Sequence, residues 1–321
     1  EAAARAATRD RTFPPFHLDG FRRARPVLKV QDGCSHGCAY CIVPLTRGPA
    51  RSRPPKDCLA EMRRLLEAGY REIMISGINL RQYAMRDEGC RDFWDLLSYL
   101  DRELAPEWGS GARPDPARFR ISSVEPAQLT ERGIATLAET RMVCPHLHLS
   151  LQSGSADVLK AMRRGHYTPE ALLSAVEGVA KLWPRFGLGA DILMGFPGET
   201  EDDHQELMEF IEEFRFERAG IFTFSREEGT KAYKMPNQVH HRTKARRYNE
   251  ATLLLARLAS ETGQEQIGRQ IRVLVDAPGV ARTEWDAPDI DGTVSVPLTL
   301  PVGQFATVTV TDAVAYELTA E

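Results

Sequence analysis

The sequence predicts an α/β protein: a partial (β/α)6 barrel followed by a small all-β domain. Short apolar runs alternate with longer amphipathic segments about six times, the pattern of repeated βα units around a parallel sheet. From Arg242 to about Gly263 this gives way to one long charged amphipathic helix. Beyond it, β-branched residues are punctuated by Gly and Pro, the texture of short antiparallel strands. The 321 residues suit one large domain and one small one, with spans of 25–263 and 264–321.

In chain order, the barrel strands are expected at Val27 to Val30, Glu72 to Ser76, Phe119 to Ser122, His146 to Leu151, Gly187 to Met194 and Gly220 to Phe224, with helices filling the gaps. Thr200, with Asp203 three residues on and Gly195-Phe196-Pro197-Gly198 before it, reads as a capped helix start behind a strand. Ile271 to Val275, Gly292 to Val296 and Ala306 to Val310 read as strands of a small barrel or sandwich. In parallel α/β sheets ligands sit at the carboxyl ends of the strands, which makes the residues just after each run the candidates for function.

Composition is that of a soluble globular protein, with 42% hydrophobic, 27% charged and 8% aromatic residues. No apolar run approaches the roughly 20 residues that cross a bilayer. Glu1 to Asp10 lacks the apolar core of a signal peptide, and the chain does not begin with Met, which reads as a trimmed fragment of a cytoplasmic protein with no membrane partner. Three of the six cysteines fall within eight residues and three lie far apart, unlike a disulfide framework. Charge is polarised: residues 22–56 hold eight Lys/Arg against one Asp, and 269–321 hold three Arg against eight Asp/Glu. The eight acidic residues from Glu201 to Glu217 fit an exposed helix face.

The sharpest chemical signal is Gly33-Cys34-Ser35-His36-Gly37-Cys38-Ala39-Tyr40-Cys41, a C-x3-C-x2-C loop directly after the first strand. Three thiolates on one loop suit an iron–sulfur cluster that keeps one iron open for a ligand. Spacing alone also admits zinc completed by His36 or His17, or a cluster with a distant fourth ligand among Cys58, Cys90 and Cys144. Otherwise those three cysteines read as buried inert thiols, and His146 and His148 as core residues.

With an aromatic residue before its last cysteine, the loop resembles the signature of the radical S-adenosylmethionine superfamily. Cys41-Ile42-Val43-Pro44, Thr46-Arg47-Gly48-Pro49 and Arg51-Ser52-Arg53-Pro54 resemble the hallmark of its methylthiotransferases. So do Ser76-Gly77-Ile78-Asn79, Ser122-Ser123-Val124-Glu125-Pro126, Leu149-Ser150-Leu151-Gln152-Ser153-Gly154-Ser155, Gly195-Phe196-Pro197-Gly198-Glu199-Thr200 and Arg226-Glu227-Glu228-Gly229-Thr230. The likeness covers about residues 25 to 321, and the end domain resembles the TRAM module.

The resemblance implies a radical SAM barrel with a 4Fe-4S cluster on Cys34, Cys38 and Cys41 as the catalytic centre. Its open iron would bind the amino and carboxylate groups of S-adenosyl-L-methionine, whose reductive cleavage gives a 5'-deoxyadenosyl radical. An electron donor such as flavodoxin or ferredoxin is then a partner. Tyr40, Gly77, Glu125 and Gln152 fall at ligand-facing strand ends. Arg163 suits the methionine carboxylate, and Gly195 a close approach of backbone to ligand. Arg47, Arg51 and Arg53 are expected where substrate enters. Family members carry an amino-terminal domain whose three cysteines hold a second cluster; residues 1–24 read as a linker or remnant of it.

The two ends of the chain point to different substrates. Val30-Gln31-Asp32-Gly33-Cys34, Cys144-Pro145-His146-Leu147-His148-Leu149-Ser150 and Lys234-Met235-Pro236-Asn237-Gln238-Val239 resemble the enzyme that methylthiolates C2 of N6-threonylcarbamoyladenosine beside the anticodon of tRNA, the reading favoured by the core. Trp285-Asp286-Ala287-Pro288-Asp289-Ile290-Asp291-Gly292 and Ala315-Tyr316-Glu317-Leu318 resemble the enzyme that methylthiolates an aspartate of a small-subunit ribosomal protein. Of another class is an RNA-binding adaptor with a structural cluster.

Overall fold

The computed structural model describes residue 13 and residues 26–216, 218–287 and 291–321. The expected linker over 1–24 lies, residue 13 apart, outside the described residues, as do His17 and Pro288 to Ile290.

Six parallel strand positions build the larger barrel. β1 (Val27–Asp32), β3 (Glu72–Gly77) and β4 (Arg118–Ile121) pair in parallel, and β2 (Arg51–Ser52) adds an antiparallel edge to β1. β5 (Ser123–Val124), β6 (His146–Gln152), β7 (Gly187–Met194) and β8 (Arg218–Thr223) continue in parallel. β4 and β5 flank Ser122, whose N–H still donates to Ile75. They are two halves of one strand that pass pairing from β3 to β6, so the sheet stays open between β2 and β8. Sequential strand order with helical crossovers is what right-handed βα units produce.

The helices are α1 (Val43–Thr46), α2 (Pro55–Glu67), α3 (Phe93–Trp108), α4 (Glu131–Glu139), α5 (Ala156–Ala161), α6 (Pro169–Leu182), α7 (Glu201–Phe214) and α8 (His241–Gln264). Their starts follow local chemistry. Asp92, Thr130 and Thr168 accept backbone N–H groups at the amino ends of α3, α4 and α6. Thr200 and Asp203 form a reciprocal capping box before α7, with N···O distances of 2.8 and 3.1 Å. α2 buries Met62, Leu65 and Leu66 against Leu28, Ile73 and Ile75 in one continuous core, each such side chain contributing roughly 1.5–3 kcal/mol. Among the described residues no helix is long and apolar enough to cross a membrane.

β9 (Gln270–Ala277), β10 (Val280–Thr283), β11 (Val294–Ser295), β12 (Phe305–Val314) and β13 (Glu317–Ala320) close a separate barrel around Ile271, Val273, Val275, Val294, Val308 and Val310. It is a barrel and not a sandwich; closure comes from β10 and β13, which are too short and polar to stand out as strands in the sequence. Cys144 lies on the extended approach to β6, hydrogen bonded to Phe119.

The small barrel docks on the amino ends of the larger barrel's strands. Glu72, the first residue of β3, is fully buried among Arg120 at 3.0 Å, Arg118 at 2.6 Å and Arg282 of β10 at 2.5 Å. Burial alone would raise its carboxyl; the arginines overcome that and hold it well below the usual carboxylate range. Gly187, where β7 begins, meets Trp285 so closely that a Cβ would lie 2.0 Å from its carbonyl oxygen.

Candidate functional site

The thiol loop follows β1 at the opposite, carboxyl end of the strands. Gly33 lets it form. Its φ is +68°, a Cβ there would stand 2.1 Å from the Pro49 carbonyl oxygen, and Cys34 N–H donates to Gly48 at 3.0 Å. Buried Gln31 then ties two strand ends together: its amide donates to the Gly33 carbonyl at 2.8 Å and its Oε1 accepts from Asn79 N–H at 2.8 Å. On the other flank Ala39 N–H donates to Met162 at 2.9 Å, and Ala232 N–H to Ala39 at 2.8 Å.

Cys34, Cys38 and Cys41 line a cavity of about 160 Å³ with Tyr40, Asn79, Glu125, Ser150, Gln152 and Arg164 among its walls. Among the described residues no three His, Cys, Asp or Glu side chains are gathered closely enough for a single metal ion. Three thiols spread around a cavity fit a cluster of several irons, which would keep one iron without a protein thiol. Cys58, Cys90 and Cys144 do not line it. Burial pushes their thiols up to about 12, 11 and 11, so they stay protonated and inert.

Hydrogen-bond donors surround the ligand thiols. Cys34 Sγ accepts from Gln82 Nε2 at 3.2 Å and from His36 N–H at 3.4 Å, and Asn79 Nδ2 stands 3.9 Å away. Arg164 Nη1 is 3.8 Å from Cys38 Sγ. Burial raises the Cys38 thiol against the pull of Arg164, and burial raises Cys41. Both therefore release protons when they ligate metal.

Glu125 organises the polar wall. Its carboxylate accepts from Asn79 Nδ2 at 2.8 Å and pairs with His166 at 3.0 Å, His36 and Arg81 at 3.4 Å, and Arg164 at 3.6 Å. Burial would raise its pKa, but His36, Arg164 and His166 together hold it at about 2. Gln152 lines the cavity with a φ of +71°, a strained conformation for a non-glycine residue and one held at a ligand-facing position.

Tyr40, Glu125 and Gln152 thus meet the thiols in one place. Gly77 and Gly195 do not line the cavity: a Cβ on Gly77 would strike Gln31 and Leu80 at 2.9 Å, and one on Gly195, φ +73°, would lie 2.5 Å from Lys244 Cγ. Packing and a left-handed turn account for both glycines. Arg163 is exposed with a φ of +61°; the guanidinium that reaches the cavity is that of Arg164, because α5 ends at Ala161 and the turn rotates the next side chain inward. Of the substrate-side arginines, Arg53 is buried 3.9 Å from Glu61, Arg51 pairs with Asp32 at 3.3 Å, and Arg47, half exposed, stands 3.6 Å from Asp32. The first two thus sit in ion pairs within the chain. His36 enters the sequence reading only as a candidate zinc ligand and Asn79 only within a motif; Gln82, His166 and Arg164 escape it, although Asn79 and Gln82 lie within five residues of the end of β3.

Residues 28–211 match the Radical SAM superfamily and residues 267–321 the TRAM domain. The ribosomal protein uS12 methylthiotransferase RimO of Akkermansia muciniphila is 55% identical across 97% of this chain and 70% of its own length. The threonylcarbamoyladenosine tRNA methylthiotransferase MtaB of Chlamydia pneumoniae is 36% identical across 83% of this chain and 60% of its own length. Among solved structures, the radical S-adenosylmethionine methyltransferase TsrM of Kitasatospora setae, with cobalamin and a [4Fe-4S] cluster bound, superposes with a TM-score of 0.51 at 16% identity, covering 87% of this chain and 45% of that one. That likeness is one of fold.

Proposed function

The chain belongs to the radical SAM methylthiotransferases, and from that premise we propose that it serves in methylthiolating an aspartate of the small-subunit ribosomal protein uS12. The observation that carries this reading is the reach of the likeness: identity to the uS12 enzyme is 55% and runs through the end barrel, while identity to the tRNA enzyme falls to 36% over a shorter span. The charge of the end barrel supports it. Three Arg against eight Asp/Glu over 269–321 repel a phosphate backbone and attract a basic protein at long range. The core motifs that resemble the tRNA enzyme lie within the span that also matches the uS12 enzyme at 55% identity, so they weigh less than the end domain. A ribosomal substrate implies a cytoplasmic protein.

In this reading Cys34, Cys38 and Cys41 hold the cluster. With S-adenosyl-L-methionine bound and one electron delivered by a reduced donor, the cluster would supply reductive cleavage of the cofactor to methionine and a 5'-deoxyadenosyl radical. The chain's own residues prepare that chemistry. Gln82 and the His36 N–H donate to Cys34 Sγ and Arg164 faces Cys38 Sγ, which stabilises thiolates and tunes the cluster's potential. Glu125, held ionised, fixes Asn79, Arg81, His166 and Arg164 around the open side. Val43, Ile78 and Leu80 wall the cavity and limit water.

The test is paired mass spectrometry from cells with and without the gene. Loss of the methylthio mass on uS12 with unchanged tRNA nucleosides supports the reading; loss of methylthiolated adenosines with unchanged uS12 replaces it with the tRNA reading. An adaptor would change neither, and would form no 5'-deoxyadenosine after anaerobic reconstitution with iron and sulfide.

A further inference from the structure

A second cavity, of about 180 Å³, opens between the two barrels on the side away from the thiols. Arg118 and Arg141 reach it from the larger barrel, Arg272 and Phe305 from the smaller one. The Arg118 and Arg272 guanidiniums lie over the same Phe305 ring, 4.8 and 4.1 Å from its centroid. Like charges so placed repel, and burial together with the Arg118 charge lowers the Arg272 pKa.

Among the described residues, Arg118, Arg120 and Arg282 pair with Glu72, Asp276 and Glu284, Asp286 also acts on Arg120, and Arg141 has Asp101 at 3.9 Å. Arg118 is incompletely satisfied in this network. The residue is 7% exposed; Nε donates to Glu72 and Nη2 to the Thr283 carbonyl. Among the described residues Nη1 is buried without a hydrogen-bond acceptor, with the Glu284 carboxylate 3.9 Å away. Arg272 makes its cation–π contact but no hydrogen bond or ion pair among the described residues.

We propose that this cavity is an oxyanion site for a phosphate group, taken by Arg118 Nη1 and the Arg272 guanidinium across the seam. A buried N–H without an acceptor carries a desolvation cost that an incoming oxygen relieves. The planar guanidinium fork matches phosphate oxygens. The group comes from free phosphate or from a nucleic-acid phosphate, and either would bridge the two barrels between Arg118 and Arg272, a local cationic spot on an otherwise acidic small barrel.

The site is independent of the substrate assigned above, and its test needs no catalysis. The whole chain is titrated calorimetrically with inorganic phosphate, and separately with a short single-stranded RNA, at constant ionic strength in chloride. One saturable phosphate site per chain is expected, with a rise in the unfolding midpoint beyond that in chloride. Arg272→Gln, an exposed position outside the Glu72 cluster, weakens it about tenfold, the loss expected for one charge-assisted contact. Glu284→Gln removes the competing carboxylate and strengthens it, a response no folding defect produces. RNA that competes with phosphate and loses affinity in Arg272→Gln identifies a nucleic-acid phosphate; RNA that does not compete identifies the free ion. Absence of saturable phosphate binding, or binding indifferent to both substitutions, overturns the proposal.

Discussion

Arg164 and Glu125 form a buried ion pair, 3.6 Å from Nη1 to Oε1, at the wall of the thiol cavity. The same Nη1 stands 3.8 Å from Cys38 Sγ, so one guanidinium serves a carboxylate and a cluster ligand at once. Arg164→Ala is expected to lower iron retention after reconstitution and shift the cluster's potential, whereas Arg163→Ala, one residue away and exposed, leaves both unchanged. Iron content and redox titration of the two variants decide it; equal behaviour would remove Arg164 from the site.

Glu125 makes acid stability specific. Its folded pKa of about 2 lies below the ordinary 4.5, so its contribution is complete above pH 4.5 and is lost as pH falls toward 2. Glu125→Gln should lower stability at pH 7 by about 3 kcal/mol, the shift converted to energy, and flatten the dependence between pH 4.5 and 2. Urea unfolding across that range is the measurement.

Replacing Cys34, Cys38 or Cys41 by Ala should each abolish the visible absorbance of the reconstituted cluster and leave iron at background. Cys90→Ala, in the core, should keep both. Survival of the colour in Cys38→Ala would mean that another residue completes the site.

Two glycines with positive φ separate close approach from mere strain. Gly33→Ala places a Cβ 2.1 Å from the Pro49 carbonyl oxygen, and Gly69→Ala, φ +98°, meets nothing within 4 Å. The second should cost about 1 kcal/mol of left-handed strain. Gly33→Ala should cost more and lose iron as well, because the loop cannot close.

At the seam, Glu72→Gln leaves three buried arginines facing a neutral amide and should destabilise the protein by about 3–5 kcal/mol. Arg282→Met leaves Glu72 with Arg118 and Arg120 and should cost less. Denaturation midpoints of the two variants rank them; the reverse order would mean that the bridge to the small barrel outweighs the pairs within the large one.

The barrel was legible in the sequence because most of its parallel strands are buried on both faces and stand out as apolar runs, with ends within two residues of those observed; β8, half exposed along its length, was legible by its apolar residues alone. The cysteine loop was legible because its ligands are adjacent in sequence. Arg164 was not, since whether it or Arg163 turns inward depends on where a six-residue helix stops. The roles of Arg51 and Arg53 were hidden for a related reason: a basic run looks like a binding surface until Asp32 and Glu61 are placed beside it.

β3 begins at Glu72, gripped by an arginine of the small barrel, and ends at Gly77, two residues before Asn79 in the cavity wall. Six residues of extended chain span about 20 Å, so a single strand separates the joint between the barrels from the turn whose amide holds Glu125.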